Sequence, residues 1–262
     1  MNEDAEHHHD EYDDVFVAGL EWMWGEGFLS PGGRDEVAEI LSGVVLDDKR
    51  VLDIGCGIGG VDVLLVAEFG AEHVTGIDVE TPLLAKAAQT AQRAGVVERV
   101  AFELVTPGRL PFDDGCFDVV FSKDSMIHIP DKVQIYTEIK RVLKPGGRLA
   151  FSDWFGSTQP DTAEFLAWLD IVGLTFNLGT LDDAAALLAE LGFVAIQTND
   201  RNAWYGAYME RELATMLGEN FEKLVIHLGR EAAEHRLKSS SLKKQVVDQG
   251  LLRPGHIRAV RP

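Results

Sequence analysis

Short apolar runs alternate along the chain with segments whose apolar positions recur at three- and four-residue steps. Residues 50–54 (RVLDI) form an apolar run of strand length that stops at glycines, and 73–78, 100–104, 117–122 and 148–153 continue the series. Between them Val37, Ile40 and Leu41 mark a helix over 34–44, and Val61, Leu64, Leu65 and Phe69 mark another ending near Gly70. Residues 82–94 and 131–143 read as two more helices, the last followed by a turn at 144–147 (KPGG). Strands alternating with helices imply parallel pairing, because parallel neighbours need long crossovers, so a doubly wound α/β fold with a Rossmann-like sheet is expected. Beyond Asp153 the rhythm breaks: a helix at 180–191, a strand at 193–198, a long helical insertion from Trp204 to about Leu242, and a final strand at 256–260. The first 33 residues form an aromatic-rich arm closing in Ser30-Pro31-Gly32-Gly33. The expected organisation is an N-terminal arm over 1–33 and one domain over 34–262, with helical cap insertions at about 154–180 and 202–250.

Composition narrows the function classes. The 262 residues are 46% hydrophobic and 26% charged, a globular profile. A formal net charge of −19 opposes the phosphate neutralisation on which nucleic-acid affinity depends, so a nucleic-acid partner is not expected. No run approaches the roughly 20 apolar residues of a membrane span, and the acidic start lacks the features of a signal peptide, so no membrane partner and a soluble, cytoplasmic protein are expected. Cys56 and Cys116 have no metal-site or disulfide spacing, and both read as reduced residues. His7, His8 and His9 read either as a mobile polar terminus or as a metal-binding tract; no catalytic or structural metal is expected elsewhere. Oligomeric state is not legible.

The strongest local chemistry is Asp53-Ile-Gly55-Cys-Gly57-Ile-Gly59-Gly60 at a strand-to-helix turn, with Asp78 at the end of the next strand. Glycines let the backbone turn tightly and approach a ligand, and a terminal carboxylate can accept both ribose hydroxyl protons. Such a site suits a nucleoside. Gly55, Gly57 and Gly60 also satisfy the dinucleotide fingerprint, so an NAD-dependent dehydrogenase stands as an alternative at this point. Gly59 and Gly60 read equally as a consequence of close helix packing.

Around these glycines the sequence resembles the class I S-adenosylmethionine (SAM)-dependent methyltransferases, whose first motif carries an acidic residue where Asp53 stands. The resemblance extends to Leu110-Pro111-Phe112-Asp113-Asp114-Gly115-Cys116-Phe117-Asp118 and to Arg141-Val142-Leu143-Lys144-Pro145-Gly146-Gly147. It implies SAM as the cofactor, with Asp53 and Gly55 at its methionine end, Gly57 giving the backbone room beside it, and Asp78 on its ribose. Leu29, Ser30, Val79, Thr106, Pro107 and Lys123 are implied around it as well. Thr106 stands in a segment, Val105-Thr106-Pro107, where that family usually has an adenine-binding aspartate.

A more specific resemblance is to the phosphoethanolamine N-methyltransferases. It is carried by residues 21–33 (EWMWGEGFLSPGG), 122–129 (SKDSMIHI) and 252–259 (LRPGHIRA). It implies an arm folding over the cofactor as a lid, a Tyr12–His128 pair that latches the lid and assists proton removal, and Asp124 beside the acceptor nitrogen. The chemistry is sound on its own terms: a protonated amine has no lone pair for attack, and an imidazole with an ordinary pKa near 6.5 is a suitable proton acceptor. The competing readings are a His128 that merely closes the turn before Pro130 and a Tyr12 that is a surface aromatic.

All five tryptophans, Trp22, Trp24, Trp154, Trp168 and Trp204, fall outside 34–153, in the arm or the cap. Aromatic faces attract alkylated ammonium groups, and Trp154 and Trp204 are expected to line the acceptor site with Lys243. One departure limits the resemblance. The segment from Trp168 to Phe176, where those enzymes place phosphate-gripping Tyr and Arg, holds no cation and adds Asp170. The expected reaction is therefore methyl transfer from SAM to the nitrogen of a small acceptor, phosphoethanolamine-like or amino-acid-like, in repeated steps up to a quaternary ammonium. The alternatives are S- or O-methylation of a carboxylate-bearing metabolite and a catalytically decayed SAM-binding module. Lys243 and Lys244 read either as a carboxylate partner or as a solvated basic spot.

Overall fold

The computed structural model describes residues 14–157, 162–173 and 176–262. The core is a seven-stranded sheet: β1 Arg50–Ile54, β2 His73–Asp78, β3 Val100–Leu104, β4 Phe117–Lys123, β5 Leu143–Gly156, β6 Val194–Asp200 and β7 Leu252–Val260, in the order β3-β2-β1-β4-β5-β7-β6. The first five are parallel, and β7 runs antiparallel between β5 and β6. Sheet alternation explains the unbroken apolar runs. Leu52, Val120, Leu149 and Phe151 enter one core, whereas Val51, Val119, Phe121 and Ala150 enter the core on the opposite face.

Helices cover both faces. α2 Gly33–Ile40, α3 Gly60–Ala67 and α4 Thr81–Ala94 pack on the face of Val51, and α5 Lys132–Val142 and α7 Leu181–Glu190 on the other. The doubly wound α/β expectation holds. One helix escaped the sequence reading, α1 Asp14–Trp24 in the arm; α6 Ala163–Val172 is the helix of the first cap insertion. The insertion expected as one helical stretch is three helices, α8 Asn202–Thr215, α9 Glu219–Leu228 and α10 Arg230–Asp248. They break at Gly218 (φ 62°, ψ −133°) and Gly229 (φ 84°, ψ 158°), conformations that side chains disfavour. Residues 144–147, expected as a turn, belong to β5. Gly146 N donates to the Arg261 carbonyl (2.8 Å) and Arg261 N to the Gly147 carbonyl (2.9 Å), a pairing with the distant C-terminus that no local signal announces.

α6, α8 and α10 bury Trp154, Phe165, Trp168, Tyr205 and Met209 in a cap core of their own. α1 bridges to this cap: Trp22 and Met23 pack with Met216, Leu224 and Ala233. On its other side Val17 meets Ile58 of the glycine turn and Leu83 of α4.

A buried ion cluster ties α2 to the cap. Arg201 grips Glu36 with two bonds (Nε–Oε1 3.0 Å, Nη2–Oε2 2.6 Å), and His256 of β7 lies 2.8 Å from Oε1. Burial alone would raise the Glu36 pKa, but His256 and Arg201 hold it below the ordinary value. A depressed carboxyl contributes stability above its unfolded pKa that is lost as pH falls through the folded one. Glu36→Ala would leave Arg201 and His256 without their counter-charge, and should cost about 3–5 kcal/mol in urea unfolding. A cost within the range of a surface substitution would show that the cluster is not stabilising.

Candidate active site

The parallel strands end along one edge, where a doubly wound sheet binds its ligands. β1 delivers Asp53 there, buried (2% exposed), with Oδ1 lacking any hydrogen-bond partner among the described residues. Burial first, and then the charge of Asp78, pushes the Asp53 pKa up to about 8 against the pull of Lys123. β2 delivers Asp78, whose Oδ2 accepts from Gly57 N (2.9 Å) and Oδ1 from Glu80 N (3.0 Å). Each oxygen keeps a lone pair for another donor. Asp78 thus shapes the glycine turn and still offers two acceptors. Burial raises its pKa, opposed by those backbone bonds.

The glycines serve close approach, to protein as well as to any ligand. A Cβ on Gly57 would come 2.9 Å from Leu29 Cδ1, and one on Gly55 2.2 Å from Ser125 Oγ. The space beside Gly57 therefore belongs in part to the arm. At Gly60 the added carbon would lie 2.1 Å from the Gly27 carbonyl oxygen, so this glycine admits the arm's backbone; at Gly59 it would meet Ala87 of α4 at 3.0 Å, the helix packing foreseen for it. Val79 (54% exposed) follows Asp78, and the exposed Thr106 and Pro107 follow β3 alongside it, since Val105 N donates to the Asp78 carbonyl (3.0 Å). This donor set fits a nucleoside carrying an ammonium group: a buried carboxylate with one unpartnered oxygen for the cation, a carboxylate with free lone pairs for hydroxyls, and an open rim between two strand ends for a base.

Beyond Lys123 the chain turns through Asp124, held at φ 57°, a left-handed value that asparagine and aspartate tolerate best among residues with side chains. Lys123 Nζ donates to the Pro31 carbonyl (2.9 Å), to Asp124 Oδ2 (3.0 Å) and to Ser30 Oγ. This lysine clamps the arm to the loop after β4 through these three bonds. Ser152 Oγ donates to Asp124 Oδ1 (2.7 Å). Burial would raise the Asp124 pKa, yet the Lys123 charge and the hydrogen bonds from Ser152, Lys123 and Ser30 hold it below the ordinary value, so it stays ionised.

His128 ends a 3-10 turn, Met126–His128, supported from beneath. Ile127 N donates to Asp153 Oδ1 (3.0 Å), and Lys132 Nζ donates to the Met126 carbonyl. Burial, resisted by Lys132, brings the Asp153 pKa up to about 7. The His128 ring lies 5.6 Å from that of Phe176. Tyr12 lies outside the described residues.

A cavity of about 690 Å³ lies between arm, sheet edge and cap, and Leu29, Ser30, Asp124, His128, Trp154 and Lys243 all line it. Trp154 meets the Tyr205 ring edge-on at 4.8 Å. Trp204 corrects the sequence expectation, because it is not among the lining residues. Its ring packs under the Arg201 guanidinium (4.5 Å) and against Tyr208 (5.3 Å). Trp24, which lies in the 21–33 motif, and Glu212, which no motif marks, line the cavity, and Trp24 Nε1 donates to Glu212 Oε2 (2.9 Å). Glu212 sits amid other charges of α8, and only the packing of α8 against α1 and α10 singles it out. Among the described residues, no group of three or more His, Cys, Asp or Glu could hold a metal ion, and no helix is long and apolar enough to cross a membrane.

A family model described as a methyltransferase domain matches residues 46–221. Phosphoethanolamine N-methyltransferase 1 of Arabidopsis thaliana is 30% identical over 222 residues, 84% of this chain and 44% of its own length. Phosphoethanolamine N-methyltransferase 2 of Caenorhabditis elegans is 32% identical over 72% of this chain and 43% of its own. The solved phosphoethanolamine N-methyltransferase 2 of Haemonchus contortus, in complex with phosphomonomethylethanolamine and S-adenosylhomocysteine, aligns with a TM-score of 0.89 at 25% identity, covering 97% of this chain and 59% of that one. The chain spans less than half the length of these curated relatives.

Proposed function

The chain belongs to the methyltransferase-domain family, and from that premise we propose that it transfers a methyl group from SAM to the nitrogen of a small amine. The observation that carries this reading is the placement of Asp124 and His128 on one loop at the sheet edge, facing an aromatic-walled cavity next to the glycine turn. The relatives named above are N-methyltransferases of a small amine, which supports the same chemistry.

SAM supplies an electrophilic sulfonium methyl. Asp53 would receive its ammonium group beside Gly55 and Gly57, Asp78 its ribose hydroxyls, and Val79, Thr106 and Pro107 its base. Leu29, Ser30 and Lys123 would close the arm, residues 1–33, over it. His128, latched by Tyr12, would take the proton that an ammonium acceptor must lose before attack. The ionised Asp124 would orient the amine, and Trp154 and Trp24 would exclude water while favouring alkylated ammonium by cation–π attraction. The free thiols of Cys56 and Cys116 fit work in a reducing compartment, the cytoplasm, and the −19 charge favours a small-molecule acceptor over nucleic acid.

Purified protein incubated with methyl-labelled SAM and a panel of ethanolamine phosphates, amino acids and their N-methyl forms should label an amine. Turnover confined to a thiol or phenol would defeat the assignment. A second consequence concerns protons. Asp53, with its pKa near 8 in the ligand-free chain, is mostly protonated at pH 7 and must ionise to pair with an ammonium group. Calorimetric titration with S-adenosylhomocysteine at pH 7, in buffers of different ionisation enthalpy, should therefore show release of up to about one proton, vanishing above pH 9. Heat independent of the buffer would remove Asp53 from the ammonium site. The raised pKa also means that the stability Asp53 contributes is fully present below the ordinary carboxyl range and is lost as pH rises from there to about 8.

A further inference from the structure

Two lysines stand side by side on α10, and the structure separates their roles. Lys244 points to acids of its own surroundings, pairing with Asp248 (2.6 Å) and Glu210 (3.7 Å). Lys243 lines the cavity, its ammonium 3.9 Å from the Trp154 ring centroid and 5.1 Å from that of Tyr205. Its contacts are aromatic faces, which steady a cation without neutralising it. It is the cation that the cavity keeps for an anion.

The charges around it set how much anion it can take. Arg236 reaches the cavity from the same helix, but its Nη2 donates to the Phe16 carbonyl (3.4 Å) and its guanidinium covers the Phe16 ring (5.0 Å). Burial raises the pKa of Glu212 in the same wall, against the hydrogen bond from Trp24 and the charges of Lys243 and Arg236, and in its ionised form it offsets one of these two positive charges. Asp124 is offset by Lys123. The balance near Lys243 is thus one positive charge. On the facing wall Trp168, Val172 and Phe176 present no cation. A phosphate monoester carries roughly −1.5 to −2 at pH 7 and is gripped best by a guanidinium fork, whereas a carboxylate carries −1.

Building on the amine-methylation reading, we propose that the acceptor is an amino carboxylate, its carboxylate seated at Lys243 and its nitrogen at His128 and Asp124, rather than an amine phosphate. A dianion in this cavity would leave an uncompensated negative charge beside Glu212. Burial lowers the Lys243 pKa to about 8 against the attraction of Glu212 and Asp124, so the site holds its full positive charge only while the pH stays below that value.

The test measures kcat/KM with methyl-labelled SAM for glycine, sarcosine, dimethylglycine and β-alanine, against phosphoethanolamine with its N-methyl forms and against the neutral N,N-dimethylethanolamine. The best amino carboxylate should exceed the best phosphate ester by roughly tenfold or more, which corresponds to the loss of one charge-assisted contact. In Lys243→Met, the advantage of that carboxylate over neutral dimethylethanolamine should shrink by a similar roughly tenfold factor. Binding of dimethylglycine and of phospho-N,N-dimethylethanolamine to protein loaded with S-adenosylhomocysteine, followed by calorimetry, gives the same comparison without turnover. If phosphate esters outrank every amino carboxylate, or Lys243→Met weakens neutral and anionic amines alike, the inference is overturned while amine methylation stands. If no amine of either kind is methylated, the reading beneath it fails as well.

Discussion

Replacing Asp78 by alanine should weaken SAM binding by at least roughly a hundredfold, the largest effect expected of any cofactor-site substitution. The carboxylate acts twice. It holds the glycine turn through Gly57 N and the following loop through Glu80 N, and it keeps a lone pair on each oxygen for the ribose hydroxyls. A hydrogen bond to a charged group contributes about 1.5–3 kcal/mol, so losing two gives about 3 kcal/mol or more, a factor of at least about 100. Isothermal titration with S-adenosylhomocysteine reads this directly. Asp78→Asn is the informative companion, since its NH₂ group must face a backbone N–H and one of the two bonds becomes a donor–donor conflict. Affinities in both variants within threefold of the parent would place the ribose elsewhere.

His128→Ala is expected to lower kcat by about 10²–10⁴, the range for removing a general base. The acceptor KM should change far less, because Trp154 and Lys243 remain in place. The sign of the pH profile separates the roles. With His128 as proton acceptor, kcat/KM rises with pH through the imidazole pKa, and that limb is lost in the variant and recovered in part by added imidazole. A parallel loss of cofactor affinity with an unaltered pH limb would make His128 a member of the cofactor's seat and remove it from the chemistry. The turn beneath it suits positioning: Asp153 and Lys132 fix the backbone of Met126 and Ile127.

Several elements were legible because their cause is local. RVLDI stops at glycines whose positive φ values the structure reports at Gly55, Gly57 and Gly59, and the short apolar runs of β1, β4 and β5 are those of strands buried on both faces. The carboxylates at the ends of β1 and β2 follow from the same pattern, since a residue closing a buried strand emerges at the ligand-binding edge. Other features depended on partners far along the chain. Residues 144–147 look like a turn until Arg261 arrives to pair with them. Lys123 was implied beside the cofactor, and only the fold shows that its ammonium also reaches Ser30 and Pro31. The long helical insertion was expected, and its division at Gly218 and Gly229 appears only in the fold.

The aromatic residues divide along the same line. Composition placed all five tryptophans outside the sheet, but their facing is a property of helix packing. A one-residue difference on a helix turns a side chain by about 100°. Trp204 therefore stacks with Arg201 outside the cavity wall, whereas its neighbour Tyr205 stays on the wall against Trp154.

By itself the sequence determined the doubly wound sheet and the glycine turn with its two acidic strand ends, because each rests on periodicity or spacing within a few dozen residues, and its resemblance over three ordered motifs pointed to the methyltransferase family. Only the tertiary structure decided which charges share the acceptor cavity. Glu212, Lys243, Asp124 and Trp24 come from the cap, the sheet edge and the arm, and their mutual electrostatics arise from distances in space that no spacing along the chain encodes.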